Sequence, residues 1–324
     1  MKDPLNQRMF FLTALLIAAG LLGAFLSPYF LQASTVTYLL QYVPVLGVLG
    51  MAQTLIILSG GPGIDLSIGA TMSIVGLAIA GLAANGIPIL LACAIGIGLG
   101  GMLGAVNGFL VCILHVPSLM ATLATFFTYS GLALALTGGA PIGGIPEWFG
   151  SLAQGRFLGI PNHMWIVFLP LAVVLHVILS HTRLGSHIYA AGNDERAAFL
   201  SGVKVWHLRF ALYCISGMVA ALAAIMTISW FQAARADAGD GMELLSVTVA
   251  VLGGAHIFGG IGRLSGTILA VLIVTTLQVG LQLANVSQAW QLATIGILLI
   301  GSVITDNITE DHWRARVRKR SNQS

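Results

Sequence analysis

Apolar stretches close to twenty residues long recur along almost the whole chain, and they constrain its fold more than any motif does. A bilayer core takes about 20 apolar residues per helix. By that yardstick there are about ten spans, at 9–26, 38–58, 66–84, 88–113, 117–137, 164–180, 210–230, 244–258, 265–284 and 288–305. Little is left between them to face water. Of 324 residues only 8% are charged and 57% are hydrophobic, whereas a soluble domain is about a quarter charged. So few charges could not cover the surface of a water-soluble fold of this length. That excludes a cytosolic enzyme, a secreted disulfide scaffold and a disordered chain. The chain reads as an all-α integral membrane protein, with residues 1–305 as one transmembrane domain and 306–324 as a basic tail.

The basic residues set the orientation. Arg314, Arg316, Arg318, Lys319 and Arg320 crowd the C-terminus, while Arg183, Arg196, Lys204 and Arg209 lie between 181 and 209. Lys2 and Arg8 precede the first span, and Arg263 sits in a Gly-rich turn. With ten spans these twelve of fourteen cations share one side, and only Arg156 and Arg235 lie opposite. That side is the cytoplasm, which makes both termini cytoplasmic. The run from Met9 to Leu26 is too long for a signal-peptide core, and Ser27-Pro28-Tyr29 is a poor cleavage site, so it reads as a retained first helix. Cys93, Cys112 and Cys214 sit in apolar stretches as small packing residues. Gly96, Gly98, Gly100, Gly101, Gly104 and Gly108 supply small-xxx-small pairs for close helix packing.

Catalytic chemistry finds no foothold. A Walker A loop needs Gly before its Lys, and the three lysines follow Met1, Val203 and Arg318. Nucleotide hydrolysis must therefore come from another chain, and no enzyme activity is expected of this one. There is no HExxH motif, and His176 and His181 are five residues apart, off a shared helical face, so no metal site is expected. Inside the spans only Asp65 comes close to being a buried charge. Ion-coupled carriers commonly use midplane acids or broken helices, so an ion-coupled secondary carrier or facilitator ranks second to the reading below.

Three segments break helical regularity. In Ser59–Gly69 (SGGPGIDLSIG), Gly60, Gly61, Pro62 and Gly63 open the backbone. Asp65 there can cap the next helix, with Ser67 in its first turn, as a cytoplasmic turn or a hinge. The segment Gly253–Thr267 carries six glycines in fourteen residues: Gly253, Gly254, Gly259, Gly260, Gly262 and Gly266. They allow close backbone approach or positive φ. Between spans, the loop 181–209 predicts a short helix capped by Asn193, with Asp194 and Glu195 in its first turn. Its apolar patch is Ala197, Ala198, Phe199 and Leu200, and Ser201-Gly202 stops it. On the other side, 138–163 (with Glu147 and Arg156) and 231–243 (with Arg235, Asp237, Asp240 and Glu243) predict a docking surface.

Together these segments resemble one family, the permease subunits of ribose-type ABC importers. The family's Gly-Gly-Ile-Asp-Leu-Ser-Xaa-Gly segment appears as Gly61-Pro62-Gly63-Ile64-Asp65-Leu66-Ser67-Ile68-Gly69, with Pro62-Gly63 as a departure that leaves Asp65 and Ser67 in register. Its cytoplasmic loop resembles Gly185 through Gly202, and its late glycine stretch resembles Val251 through Thr267. The likeness covers about residues 10–305, and 231–267 lean towards the rhamnose-type and autoinducer-2-type permeases. It implies a bacterial inner-membrane protein translocating a monosaccharide or related solute, with no cofactor of its own. Its partners would be an ABC ATP-binding subunit that uses ATP and Mg, a periplasmic solute-binding protein, and a second permease copy or sister permease; nucleic acid has no part. Gly192, Asn193, Asp194, Glu195, Ala197, Ala198, Leu200, Ser201 and Gly202 would form the helix coupled to the ATPase, and Gly60, Gly61, Asp65, Ser67, Gly253, Gly254, Gly259 and Gly260 the hinges. Uncharged polar residues, Gln53, Asn107, Thr122, Thr125 and Gln278, would line the pathway, and the outer charged loops would meet the binding protein.

Overall fold

The computed structural model describes residues 4–61, 63–287, 289–298 and 300–301. Pro62 and the basic tail 306–324 lie outside the described residues. The described chain forms twelve helices: α1 (Pro4–Leu26), α2 (Ala33–Leu58), α3 (Ile68–Ala84), α4 (Ile89–Cys112), α5 (Ser118–Thr137), α6 (Met164–His181), α7 (Arg183–Asn193), α8 (Glu195–Leu200), α9 (Val205–Phe231), α10 (Met242–Leu252), α11 (Leu264–Leu283) and α12 (Ala289–Leu298). A 3-10 turn at Glu147–Leu152 and a two-residue hairpin pairing Arg156–Phe157 with Ile160–Pro161 fill the α5–α6 connection.

Seven helices are long and apolar enough to cross a bilayer: α1, α2, α4, α5, α6, α9 and α11. Every expected span therefore contains a helix, but in the eighth the helix is too short to cross by itself. At 11 residues, α10 rises about 16 Å, roughly half of a 30 Å hydrocarbon core. Hydropathy alone ran the span to 258, but Gly253-Gly254 stops the helix. Gly254 adopts φ +105°, its N–H bonds Val251 O, and the Ala255 N–H bonds Ala250 O, which is a Schellman ending.

The interior is organised around α2, whose apolar window is 83% buried, while α1, α5 and α6 leave most of their apolar surface outward for lipid. The tightest crossing joins α4 to α9. Both lack side chains where they touch: a Cβ on Gly100 would stand 2.3 Å from the Gly217 carbonyl oxygen, and one on Gly104 would stand 2.1 Å from that of Tyr213. In lipid there is no hydrophobic drive between helices, so close backbone contact of this kind supplies the packing energy.

Two non-helical segments enter the bundle from opposite ends. Gly60 and Gly61 leave the end of α2, and residues 63–67 rise until Asp65 meets Ser216, well inside α9. Residues 232–241 come from the other end, pinned by the Ile142–Ala234 bridge, and descend until Gly239 meets the first turns of α3. The Gly239 N–H donates to Ser73 Oγ at 2.9 Å, and a Cβ on Gly239 would lie 2.0 Å from the Gly69 carbonyl oxygen. Helices α3 and α10 thus begin within the bundle and run to opposite ends. Non-helical backbone at this depth is tolerated only where protein covers it and satisfies its polar groups.

Candidate functional site: a glycine junction beneath a buried polar network

The three irregular segments come together at the end of the bundle that the charge distribution assigns to the cytoplasm. The Gly260 N–H donates to the Leu58 carbonyl at 3.0 Å. A Cβ on Gly192 would stand 2.0 Å from that carbonyl and 2.3 Å from the Gly260 nitrogen, and one on Gly259 would stand 2.5 Å from Gly60 Cα. Gly60, Gly61, Gly259 and Gly260 all have positive φ, between +67° and +95°, a region that residues with a Cβ rarely enter. The junction therefore requires glycine twice over, for space and for backbone conformation.

Side chains lock the junction. Tyr189 Oη donates to the Gly262 carbonyl at 2.9 Å. Arg209, at the start of α9, donates from Nε and Nη2 to the Ser59 carbonyl (3.2 and 3.1 Å) and from Nη1 to Glu195 at 2.8 Å. One guanidinium thus ties α8 to the end of α2, using the planar fork that lysine lacks. Neither Tyr189 nor Arg209 stood out in the sequence, because Arg209 reads as one more cytoplasmic cation. Gly253 works nearby instead, where α10 ends on α11: a Cβ on Gly266 would stand 1.9 Å from its carbonyl oxygen. Arg8 Nη2 donates to the Val251 carbonyl at 3.0 Å, at the helix end whose dipole favours a cation.

The loop 181–209 differs from expectation in two ways. It is two helices, and Asn193 closes the first rather than capping the second. Asp194 is the cap, its Oδ1 accepting from the Ala197 N–H at 2.9 Å. Ala198 is turned inward at 3% exposure, while Phe199 and Leu200 are 69% and 77% exposed. Glu195, Ala197 and Ser201 are also exposed, and Gly202 ends α8 at φ +87°. The outward face is therefore dominated by a large apolar pair beyond a charged first turn, with Ala197 beside it and Ala198 turned away.

Above the junction lies a buried polar network. Asp65 Oδ1 accepts from the Ser67 N–H (2.9 Å) and Ser67 Oγ (2.7 Å), and its Oδ2 accepts from Ser216 Oγ (2.8 Å). Ser67 Oγ accepts from Asn107 Nδ2 at 2.6 Å, and Asn107 Oδ1 accepts from Thr125 Oγ1 at 2.6 Å. Gln53 spans the Asp65 main chain, its Nε2 donating to the carbonyl (3.2 Å) and its Oε1 accepting from the N–H (3.1 Å), which orients the amide. Thr122 Oγ1 reaches the Ile64 carbonyl at 3.2 Å. Every one of these side chains is buried.

Two corrections follow. The cap of α3 is Ser67, without a side-chain cap bond, and Asp65 closes a local turn inside the bundle instead of a surface turn. Gln53, Asn107, Thr122 and Thr125 face one another across α2, α4 and α5 and hold the rising segment, all four buried. The spans that carry them were readable, but which faces meet was not. Gln278 stands apart, half-buried on α11 beside a cavity.

At the opposite end the two outer loops meet through the Ile142–Ala234 bridge. Ser229 Oγ donates to the Phe149 carbonyl (2.7 Å) and accepts from the Ala153 N–H (3.0 Å). Glu147, Arg156 and Asp240 are exposed. Arg235 and Asp237 pair with each other through two bonds, and the guanidinium holds the Asp237 carboxyl below its usual range. Glu243 opens α10, half-buried. Arg235 and Asp237 border a cavity of about 390 Å³ that Tyr42, Trp230 and Phe231 also line, with the Tyr42 and Trp230 rings edge-on at 4.8 Å. Among the described residues no group of three or more His, Cys, Asp or Glu could hold a metal.

A multi-pass helical bundle with two helices that begin inside it, α3 and α10, and a short outward-facing helix at its basic end defines a membrane permease subunit. A family model described as the permease component of branched-chain amino acid transport systems matches residues 35–303. The ribose import permease protein RbsC of Bacillus subtilis (strain 168) is 36% identical over 87% of this chain and 87% of its own length. RbsC of Escherichia coli (strain K12) is 35% identical over 91% and 92%. The autoinducer 2 import system permease protein LsrD of E. coli (strain K12) is 34% identical over 92% and 91%. The chain belongs to this family of ABC-importer permeases, in its ribose-type branch. No solved structure gives a significant match.

Proposed function

We propose that this chain is the pore-forming subunit of an ATP-driven importer for a neutral monosaccharide or a related polar solute. The single observation that carries the reading is the rigid connection from α8 into the bundle. Arg209 binds both Glu195 and the Ser59 carbonyl, while Gly192 packs directly on Leu58 and Gly260. A push on the exposed Phe199–Leu200 pair is then transmitted to the ends of α2 and α9 without an intervening flexible loop. In this reading α7 and α8 dock on a separate ATP-binding subunit, where ATP and Mg²⁺ act. The joined outer loops receive a periplasmic solute-binding protein, and the pore forms between this chain and a second permease, in the bacterial inner membrane.

The relatives are named for ribose and for autoinducer 2. Both are small neutral polyoxygenated molecules, and that chemistry sets the substrate class: pentose, hexose, a deoxysugar such as rhamnose, or autoinducer-2. Co-purification from native membrane with mass spectrometry tests the assembly. An ATP-binding subunit in the sample is the expected result. Recovery of the chain alone from several mild detergents, with uptake that collapses under an uncoupler at constant ATP, would replace this reading by an ion-coupled carrier.

A further inference from the structure

On the face of α11 turned towards α2 lies a cavity of about 300 Å³ lined by Tyr42, Thr275, Gln278, Val279, Gln282 and Gln291. Thr275, Gln278 and Gln282 are spaced i, i+3, i+7 and share one face of the helix. Three carboxamides, a hydroxyl and a phenol converge there without a charge. Each carboxamide offers two donors and an acceptor, and each hydroxyl offers one donor and accepts as well. The volume falls at the small end of ligand pockets, roughly 300–1,000 Å³.

Thr275 marks this cavity as unfinished. Six helical threonines, Thr54, Thr122, Thr128, Thr137, Thr227 and Thr248, bond back to the carbonyl four residues earlier. Thr275 is 2% exposed, and its Oγ1 has no hydrogen-bond partner among the described residues. A buried hydroxyl left so is unfavourable, and the chain could have removed the penalty with valine. Tyr42 also lines the second, 390 Å³ cavity beside the outer loops, so the two cavities share this residue.

We infer that the cavity of Thr275, Gln278, Gln282 and Gln291 is a subsite for a neutral polyhydroxylated ring of monosaccharide size, held between release at the outer mouth and passage through the membrane. Alternating carboxamide donors and acceptors match vicinal hydroxyl groups, which also act in both senses. An ionic solute would find no counter-charge among these residues in a low-dielectric surrounding. The inference rests on the importer reading above and adds to it the place where this chain itself touches the solute.

The test uses the complete transporter in proteoliposomes, with uptake of radiolabelled D-ribose, L-rhamnose and D-glucose compared in wild type, Thr275→Val and Gln278→Leu. Thr275→Val removes the unpaired hydroxyl at constant shape, so its melting temperature should equal or exceed the wild type's. The expected result is a maximal uptake rate at least tenfold lower for whichever sugar is carried. The half-saturating concentration, set by the binding protein, should not move. Gly98→Ala, with nothing within 4 Å of the added methyl on α4, serves as a comparison and should leave the maximal rate within twofold. Thr275→Val and Gln278→Leu both transporting within twofold of wild type would overturn the subsite while leaving the importer reading intact. A wild-type transporter that hydrolyses ATP in response to some other solute, yet carries none of the neutral sugars, would overturn the substrate class and the subsite with it.

Discussion

Replacing Asp65 tests the buried network most directly. The carboxylate is the common acceptor for three donors, the Ser67 N–H, Ser67 Oγ and Ser216 Oγ, at 2.7–2.9 Å, and it is 2% exposed. Asp65→Ala strands those donors inside the bundle, and each buried donor without a partner costs about 1–3 kcal/mol. Allowing one hydroxyl to turn to a nearby carbonyl leaves two stranded donors and a loss of roughly 2–6 kcal/mol, a large share of the 5–15 kcal/mol typical of folded domains. Asp65→Asn keeps the shape and one oxygen for Ser67, and its amide can donate to Ser216 Oγ, so about 1–2 kcal/mol is lost. Ser216→Ala removes a single donor and costs about 1 kcal/mol. Thermal melting in mild detergent should rank the wild type above Asp65→Asn and Ser216→Ala, with Asp65→Ala lowest. At roughly 2–4 °C per kcal/mol, Asp65→Ala melts about 4–24 °C early. A melting point for Asp65→Ala within about 1 °C of wild type would refute the reasoning. Equal damage from asparagine and alanine would refute it too, because the acceptor geometry would then be irrelevant.

Three other substitutions probe separate parts of the molecule. Gly217→Ala drives a methyl to 2.0 Å from the Gly100 carbonyl oxygen, so α4 and α9 must part, at about 1–3 kcal/mol or more. Gly98→Ala, with nothing within 4 Å of its Cβ, should be neutral or stabilising by up to about 1 kcal/mol; melting of the pair reads the difference. Arg209→Ala strips two bonds from the Ser59 carbonyl and should cost about 1.5–3 kcal/mol. Glu195→Gln breaks only the exposed ion pair, worth less than about 1 kcal/mol, so denaturation should separate the two. Phe199→Glu with Leu200→Glu should leave melting unchanged and abolish substrate-stimulated ATP hydrolysis in the assembled transporter. Ala198→Glu buries a charge and should lower the melting temperature itself.

The class of the protein and its irregular segments were legible before any coordinates. Periodic apolar runs found a helix for every expected span, since burial in lipid needs nothing but length and hydrophobicity. The Gly-rich segments at 59–69 and 253–267 were visible because glycine is the residue that tolerates positive φ and backbone contact. What each segment touches was not. Asn193 and Asp194 both suit a helix cap, and only the actual break between α7 and α8 chose Asp194. Ala198 and Phe199 are adjacent in the sequence and lie on opposite faces of α8, so one seals the junction while the other faces outward.

The same limit applies to Asp65. Its sequence neighbours mark a turn, and a turn after an apolar span is ordinarily at the surface. Its burial arises from Ser216, Asn107, Gln53 and Thr125, which come from four other helices. The eighth span was already short in the sequence, but where α10 stops was hidden, because hydropathy sums residue by residue and cannot register where a Schellman ending stops the hydrogen-bond ladder. The sequence by itself determined the solvent: a chain with 8% charged residues must fold in lipid, and transfer energies are local and additive. The tertiary structure decided which faces meet: the α4–α9 backbone contact, the descent of Gly239 onto Gly69, and the junction of Leu58, Gly192 and Gly260. Those contacts depend on distances between residues far apart in the chain, which no local property of the sequence encodes.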